Sequence, residues 1–159
     1  GIYASFRKVM PEYMQLLRKE APQGVKFLIM QTWAYQGNSE HTNFSIYNYD
    51  QKAMYKAVTK CYMKVFKDKR YGFHALVPNG TAVQNGRTYF GDTLTRDGFH
   101  LDKRVGRYLG ACTMCEVLLG KSVVGNSYYP EGITLKEALA AQKSAHAAVL
   151  KPNKVTKIK

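Results

Sequence analysis

Apolar residues recur at helical spacing from the start of the chain. Ile2, Phe6, Val9, Met10, Tyr13 and Leu17 share one face, so residues 2–20 read as an amphipathic helix. Pro11 interrupts that pattern, so the helix is either kinked there or begins there. Ala21-Pro22-Gln23-Gly24 ends it. Val25 to Gln31 is then a short apolar run after a turn, the mark of a buried strand. A helix follows over about 51–68, with Met54, Ala57, Val58, Cys61 and Val65 inward. Tyr71 to Val77 reads as a second buried strand, and 81–88 as a short helix. The strongest helical stripe is Val105, Tyr108, Leu109, Cys112, Cys115 and Leu119, with Asp102 placed to cap it and Gly120 to end it. Thr134 and Glu137 stand at capping-box spacing before a last helix over about 135–149.

Helices alternating with strands predict an α/β domain with a parallel sheet over residues 1–150. Two strands are few for helices with this much apolar surface, so the sheet is expected to be part of a larger one, with an exposed edge that offers a site for self-association. Between the predicted elements, residues 32–50 are polar yet carry Trp33, Tyr35, Phe44, Tyr47 and Tyr49. That aromatic load suits an ordered loop at the carboxyl end of a strand, where open α/β sheets bind ligands.

The chain has 159 residues, 45% of them apolar and 22% charged, the balance of a globular domain. No apolar run is long enough to span a bilayer, and the first residues lack the pattern of a signal peptide. Three cysteines make an odd count that does not suggest a disulfide framework. The formal charge is +13, from 24 Lys+Arg against 11 Asp+Glu. Its concentration in a stripe of Lys52, Lys56, Lys60, Lys64 and Lys67 and in the tail 151–159 lowers its functional meaning. The stripe reads as the solvated face of a helix, and the tail as basic and flexible. No nucleic-acid-binding motif accompanies them, so a basic module for nucleic acid or another polyanion is the alternative reading, not the first.

Candidate chemistry centres on Thr95-Arg96-Asp97-Gly98-Phe99-His100-Leu101. An Asp three residues before a His can fold back within one turn, accept the imidazole Nδ1–H and leave Nε2 free as a base. Cys112-x-x-Cys115 lies inside a helix, without the further ligands zinc needs, and reads as core. No cofactor or metal motif is present. His74 and His146 read as structural, His41 as a residue able to line a pocket, and Arg107 as a surface group. Trp33 and Tyr35 are candidates for substrate contact or for simple cover of the sheet end.

The stretch Thr95-x-Asp97-Gly98-x-His100-Leu101, followed by Gly106-Arg107-Tyr108, resembles the last block of SGNH/GDSL-type hydrolases. It is most similar to a bacterial branch catalogued as a domain of unknown function. Gln31-Thr32-Trp33-Ala34-Tyr35, Tyr49-Asp50-Gln51-x-x-Met54-Tyr55 and Pro78-x-Gly80-x-Ala82 look like the same branch in the same order, so the likeness runs from about 25 to 133. The resemblance implies a three-layer α/β/α, flavodoxin-like fold. It also implies hydrolysis of small-molecule or carbohydrate esters by a Ser-His-Asp triad, with His100 as base and Asp97 as its orienting partner. Members of the family are often exported. The family's nucleophilic serine sits in a Gly-Asp-Ser or Gly-Asn-Ser segment after the first strand, ahead of the region matched here. Gly37-Asn38-Ser39 and Gly125-Asn126-Ser127 do not stand at that place in the order. The expectation is therefore a chain that begins after its nucleophile segment and is inactive alone.

Overall fold

The structure, a computed structural model, describes residues 1–159. Its elements are α1 (Tyr3–Glu20), β1 (Leu28–Met30), α2 (Gln51–Lys67), β2 (Ala75–Val77), α3 (Asn79–Phe90), α4 (Val105–Leu119) and α5 (Leu135–Leu150). A 3-10 turn spans Thr42–Tyr47. The class is mixed α/β, and β1 and β2 pair in parallel with Leu28, Ile29 and Met30 opposite Ala75, Leu76 and Val77. This is the only sheet. No helix is long and apolar enough to cross a membrane.

The strands are shorter than the apolar runs that announced them. Residues before Leu28 are spent on a turn, where Val25 N–H donates to Pro22 O. The ladder still continues past the named strands, with His74 N–H on Phe27 O and Gln31 N–H on Val77 O. Pro11 lies inside α1 without ending it. Helix α3 begins two residues earlier than its pattern suggested, directly after Pro78.

Three apolar clusters build the core. Met10 and Met14 of α1, Val65 of α2, Tyr71, and Ile29 and Leu76 from the strands form one. Strand residues Ile29 and Leu76 share a sheet face in register, and the amphipathic faces of α1 and α2 close over it. A larger cluster joins α3, α4 and α5 around Val83, Leu109, Ala141 and Ala145. A third holds Phe44 of the aromatic loop against Met54, Tyr55 and Val58 of α2.

The caps follow the sequence closely. The Thr134 side chain accepts from Glu137 N–H while the Glu137 carboxylate accepts from Thr134 N–H. Asp102 accepts from Arg104 N–H at 2.9 Å and Gly106 N–H at 2.6 Å, satisfying donors at the start of α4. Gly120 ends α4 in the left-handed conformation.

The tail departs from expectation. Residues 151–159 are not loose: they run along α3. Thr81 Oγ1–H donates to Pro152 O at 2.6 Å, Thr156 N–H to Asn85 Oδ1 at 2.7 Å, and Ile158 N–H to Thr88 Oγ1 at 2.9 Å. Ile158 is buried. Thr81, Asn85 and Thr88 stand at i, i+4, i+7, one face of a helix, so α3 offers a row of side-chain partners to the backbone of the tail.

Candidate functional site

The loop after α3 turns back on itself between Thr95 and Leu101, which form an isolated antiparallel bridge. At its tip Gly98 takes a φ of 86°, a conformation that L side chains rarely adopt, and a Cβ there would also meet Ser39 Oγ at 2.9 Å. The tight turn folds the Asp97 carboxylate over the residues that follow. Asp97 Oδ1 accepts from His100 N–H at 2.8 Å and from Phe99 N–H at 3.3 Å. His100 Nδ1 lies 2.7 Å from Asp97 Oδ2.

Desolvation alone pushes the Asp97 carboxyl up. The His100 backbone N–H, its imidazole and the Phe99 N–H outweigh that, and the net shift is far below the usual carboxylate range. Asp97 is therefore an anion at neutral pH, able to fix the imidazole tautomer with Nδ1 as donor. The His100 side chain is 55% exposed. This arrangement leaves Nε2 free to accept a proton from a group brought to it from solvent.

The segment after β1 supports the turn from below. Trp33 Nε1–H donates to Phe99 O at 2.6 Å, Gln36 N–H to Gly98 O at 2.7 Å, and Thr95 Oγ1–H to Gln36 Oε1 at 2.6 Å. Beside it opens an apolar cavity of about 450 Å³, lined in part by Trp33, Tyr35, Phe99, Ile46 and Met54. Trp33 and Tyr35 thus share a wall with Phe99, whose ring lies 4.2 Å from the His100 ring. His100 itself does not line the cavity.

Of the other candidates, His41 and Ser39 lie against this cluster and the rest lie apart from it. The His41 imidazole accepts from Asn43 N–H through Nδ1 and packs against Tyr35 and Phe99, 4.7 and 4.8 Å away. His74 borders a different cleft, with Lys26, Lys67 and Lys69. Arg107 is exposed. Ser39 is buried, and its Oγ accepts from His41 N–H. Ser127 is exposed in the loop between α4 and α5. Burial pushes the Cys112 thiol up to about 11, so it stays neutral in the core. No group of three or more His, Cys, Asp and Glu side chains converges in metal-binding geometry.

Two pairs, each with one buried member, were not foreseen: Arg87 with Asp92, and Glu116 with His146. Their partners lie on separate elements or across a turn. Only a lone charged residue on an apolar helix face, as at Glu116 in α4, hinted at either.

A family described as "Domain of unknown function (DUF4886)" matches residues 1–148. Among solved structures, the chain is similar to a DUF4886 family protein from Bacteroides uniformis ATCC 8492, at 41% identity and a TM-score of 0.93. The match covers 98% of this chain and 60% of that one, so the chain spans about 60% of the length of this solved relative. No curated protein matches. With the family match running through the Asp97–His100 turn and the helices that frame it, the chain belongs to the DUF4886 family.

Proposed function

We propose that this chain carries the base half of an ester-hydrolase site of SGNH/GDSL type. The observation that carries the reading is the 2.7 Å contact between His100 Nδ1 and Asp97 Oδ2 in an exposed turn held by the segment that follows β1. In this reading His100 Nε2 takes the proton from a serine hydroxyl as its oxygen attacks the acyl carbon. The imidazolium so formed is stabilised by Asp97 and returns the proton to the departing alkoxide. Water then attacks the acyl-serine by the same route, with His100 again as base, and releases the acid. Trp33 and Tyr35 flank the substrate, a small-molecule or carbohydrate ester. The two parallel strands belong, on this reading, to a three-layer flavodoxin-like sheet.

The serine is assigned to a segment outside residues 1–159. Ser39 is engaged beneath Gly98, and nothing ties the exposed Ser127 to His100. The test is acetyl-ester hydrolysis by the protein as its gene encodes it, beside residues 1–159 alone. The gene product is expected to be active, with Asp97→Asn and His100→Ala each lowering kcat by about 10³–10⁴. Residues 1–159 alone are expected to be inactive. Activity of this chain abolished by His100→Ala overturns the assignment of the serine. A gene product indifferent to both substitutions overturns the whole reading.

One observation favours a second reading, a polyanion-binding module. Clefts of about 520 and 350 Å³ share Tyr55 and Lys56, and between them they take in Lys52 and Lys60 of α2 with Val155 and Asn153 of the tail. Lysines of the stripe and uncharged residues of the tail therefore line two adjoining clefts. Retention on an anionic polymer that falls steeply with salt supports this reading, and no retention at low salt removes it.

A further inference from the structure

Of the 24 lysines and arginines, Arg87 alone is buried. Its side chain is 5% exposed, near the end of α3. Burial pulls the guanidinium below its ordinary value, with Asp92 opposing that pull. A cation so enclosed is destabilising unless it is paired, and here both terminal nitrogens donate hydrogen bonds while Nε makes an ion-pair contact only. Nε faces Asp92 Oδ1 at 2.8 Å as an ion pair, one terminal nitrogen donates to Gln84 Oε1 at 3.1 Å, and the other donates to Ala34 O at 3.0 Å.

The partners of this pair converge on one stretch of backbone. Asp92 Oδ2 accepts from Gly37 N–H at 2.7 Å. Gln51 Nε2 donates to Asp92 at 3.0 Å and to Tyr35 O at 2.9 Å. Ala34 O, Tyr35 O and Gly37 N–H are thus all held from one side. The other side of the same stretch holds the His100 turn, through Trp33 on Phe99 O and Gln36 on Gly98 O. Segment 33–37 is a bracket with the Arg87–Asp92 ion pair at its back and the Asp97–His100 turn at its front.

We propose that Arg87 is a positioning residue for His100, acting through Asp92 and the backbone of 33–37. The inference rests on the reading of Asp97 and His100 as a base pair. A planar guanidinium holds two acceptors and a facing carboxylate in fixed directions, which an ammonium does not reproduce. Loss of the fork frees Ala34 O and releases Asp92, and the bracket no longer fixes where Gly98 and Phe99 sit. The consequence falls on the Asp97–His100 contact, whose short distance depends on that turn.

The test reads the tautomer of each neutral histidine from the ¹⁵N shifts of its two ring nitrogens, in residues 1–159. His100 is assigned by loss of its signals in His100→Gln. Wild type is expected to hold His100 mainly as the Nδ1–H tautomer. In Arg87→Met the ratio of Nδ1–H to Nε2–H is expected to fall about threefold or more, as it does when a fixing acceptor is lost. Arg87→Lys is expected to lie between the two, and Asp92→Asn to move the same way. His146, held by Glu116 elsewhere in the fold, serves as an internal control and is expected not to change. A folded Arg87→Met protein with the wild-type ratio at His100 overturns the proposal. If Arg87→Met does not fold, Asp92→Asn removes the charge that faces Arg87 while keeping the side chain's size, and an unchanged ratio there overturns the proposal equally. Absence of the Nδ1–H preference in wild type defeats the base-pair reading itself, a separate outcome.

Discussion

His146 Nδ1 lies 2.7 Å from Glu116 Oε1, the same distance that separates His100 from Asp97. The two carboxylate–imidazole pairs differ in where they stand. The Glu116 side chain is 5% exposed, against 39% for Asp97. Glu116 also accepts from Val123 N–H at 3.0 Å, which pins the loop after α4 to the helix. One pair braces α4, α5 and their connection, while the other presents a ring nitrogen to the solvent.

The brace has a measurable contribution. Glu116→Leu leaves Val123 N–H and the His146 ring without their acceptor. The expected loss is about 2 kcal/mol, because a buried donor is left unpaired. Urea unfolding of the variant beside wild type checks this, and a loss under about 0.5 kcal/mol says the pair contributes nothing.

The Asp97 turn carries a pH dependence of fixed sign. Its carboxyl is depressed in the folded state, so its contribution is fully present above the unfolded value and fades as pH falls toward the folded one. Asp97→Asn is therefore expected to be less stable than wild type at pH 7. The difference should narrow steadily below about pH 4. Unfolding midpoints of both proteins across that range decide it, and a gap that widens in acid contradicts the bonding described for Asp97.

The docked tail predicts protection. Trypsin is expected to cleave after Lys154 and Lys157 more slowly than in a peptide of the same sequence. Removing residues 151–159 takes away three hydrogen bonds to α3 and the cover of Ile158. The expected cost is about 2 kcal/mol, read as a lowered unfolding midpoint. Immediate trimming at Lys154 with no change in stability contradicts the docking.

The sequence was most readable where one element sufficed. The apolar stripes of α2 and α4, the Thr134–Glu137 box and the Asp97–His100 turn each lie within a few helical turns, so spacing alone determines which side chains meet. The strands were read too long because an apolar run does not reveal how much of it a turn consumes, as at Val25. Long-range pairs were invisible for a different reason. Arg87 reaches Ala34 across 53 positions, and His146 reaches Glu116 across 30. Neither separation leaves any periodic trace. The tail failed in the same way: four lysines and no acid read as a solvated end, while its attachment is made by backbone groups that composition does not record.

Trp33 is the sole tryptophan of the chain, and its indole N–H is spent on the carbonyl of Phe99, the residue before His100. The molecule therefore carries a built-in optical reporter at the edge of its candidate site. Any event that lifts the His100 turn breaks that hydrogen bond and changes the polarity around one indole ring. Opening and closing of the turn, or filling of the cavity that Trp33 lines, becomes visible as emission colour and intensity without a label.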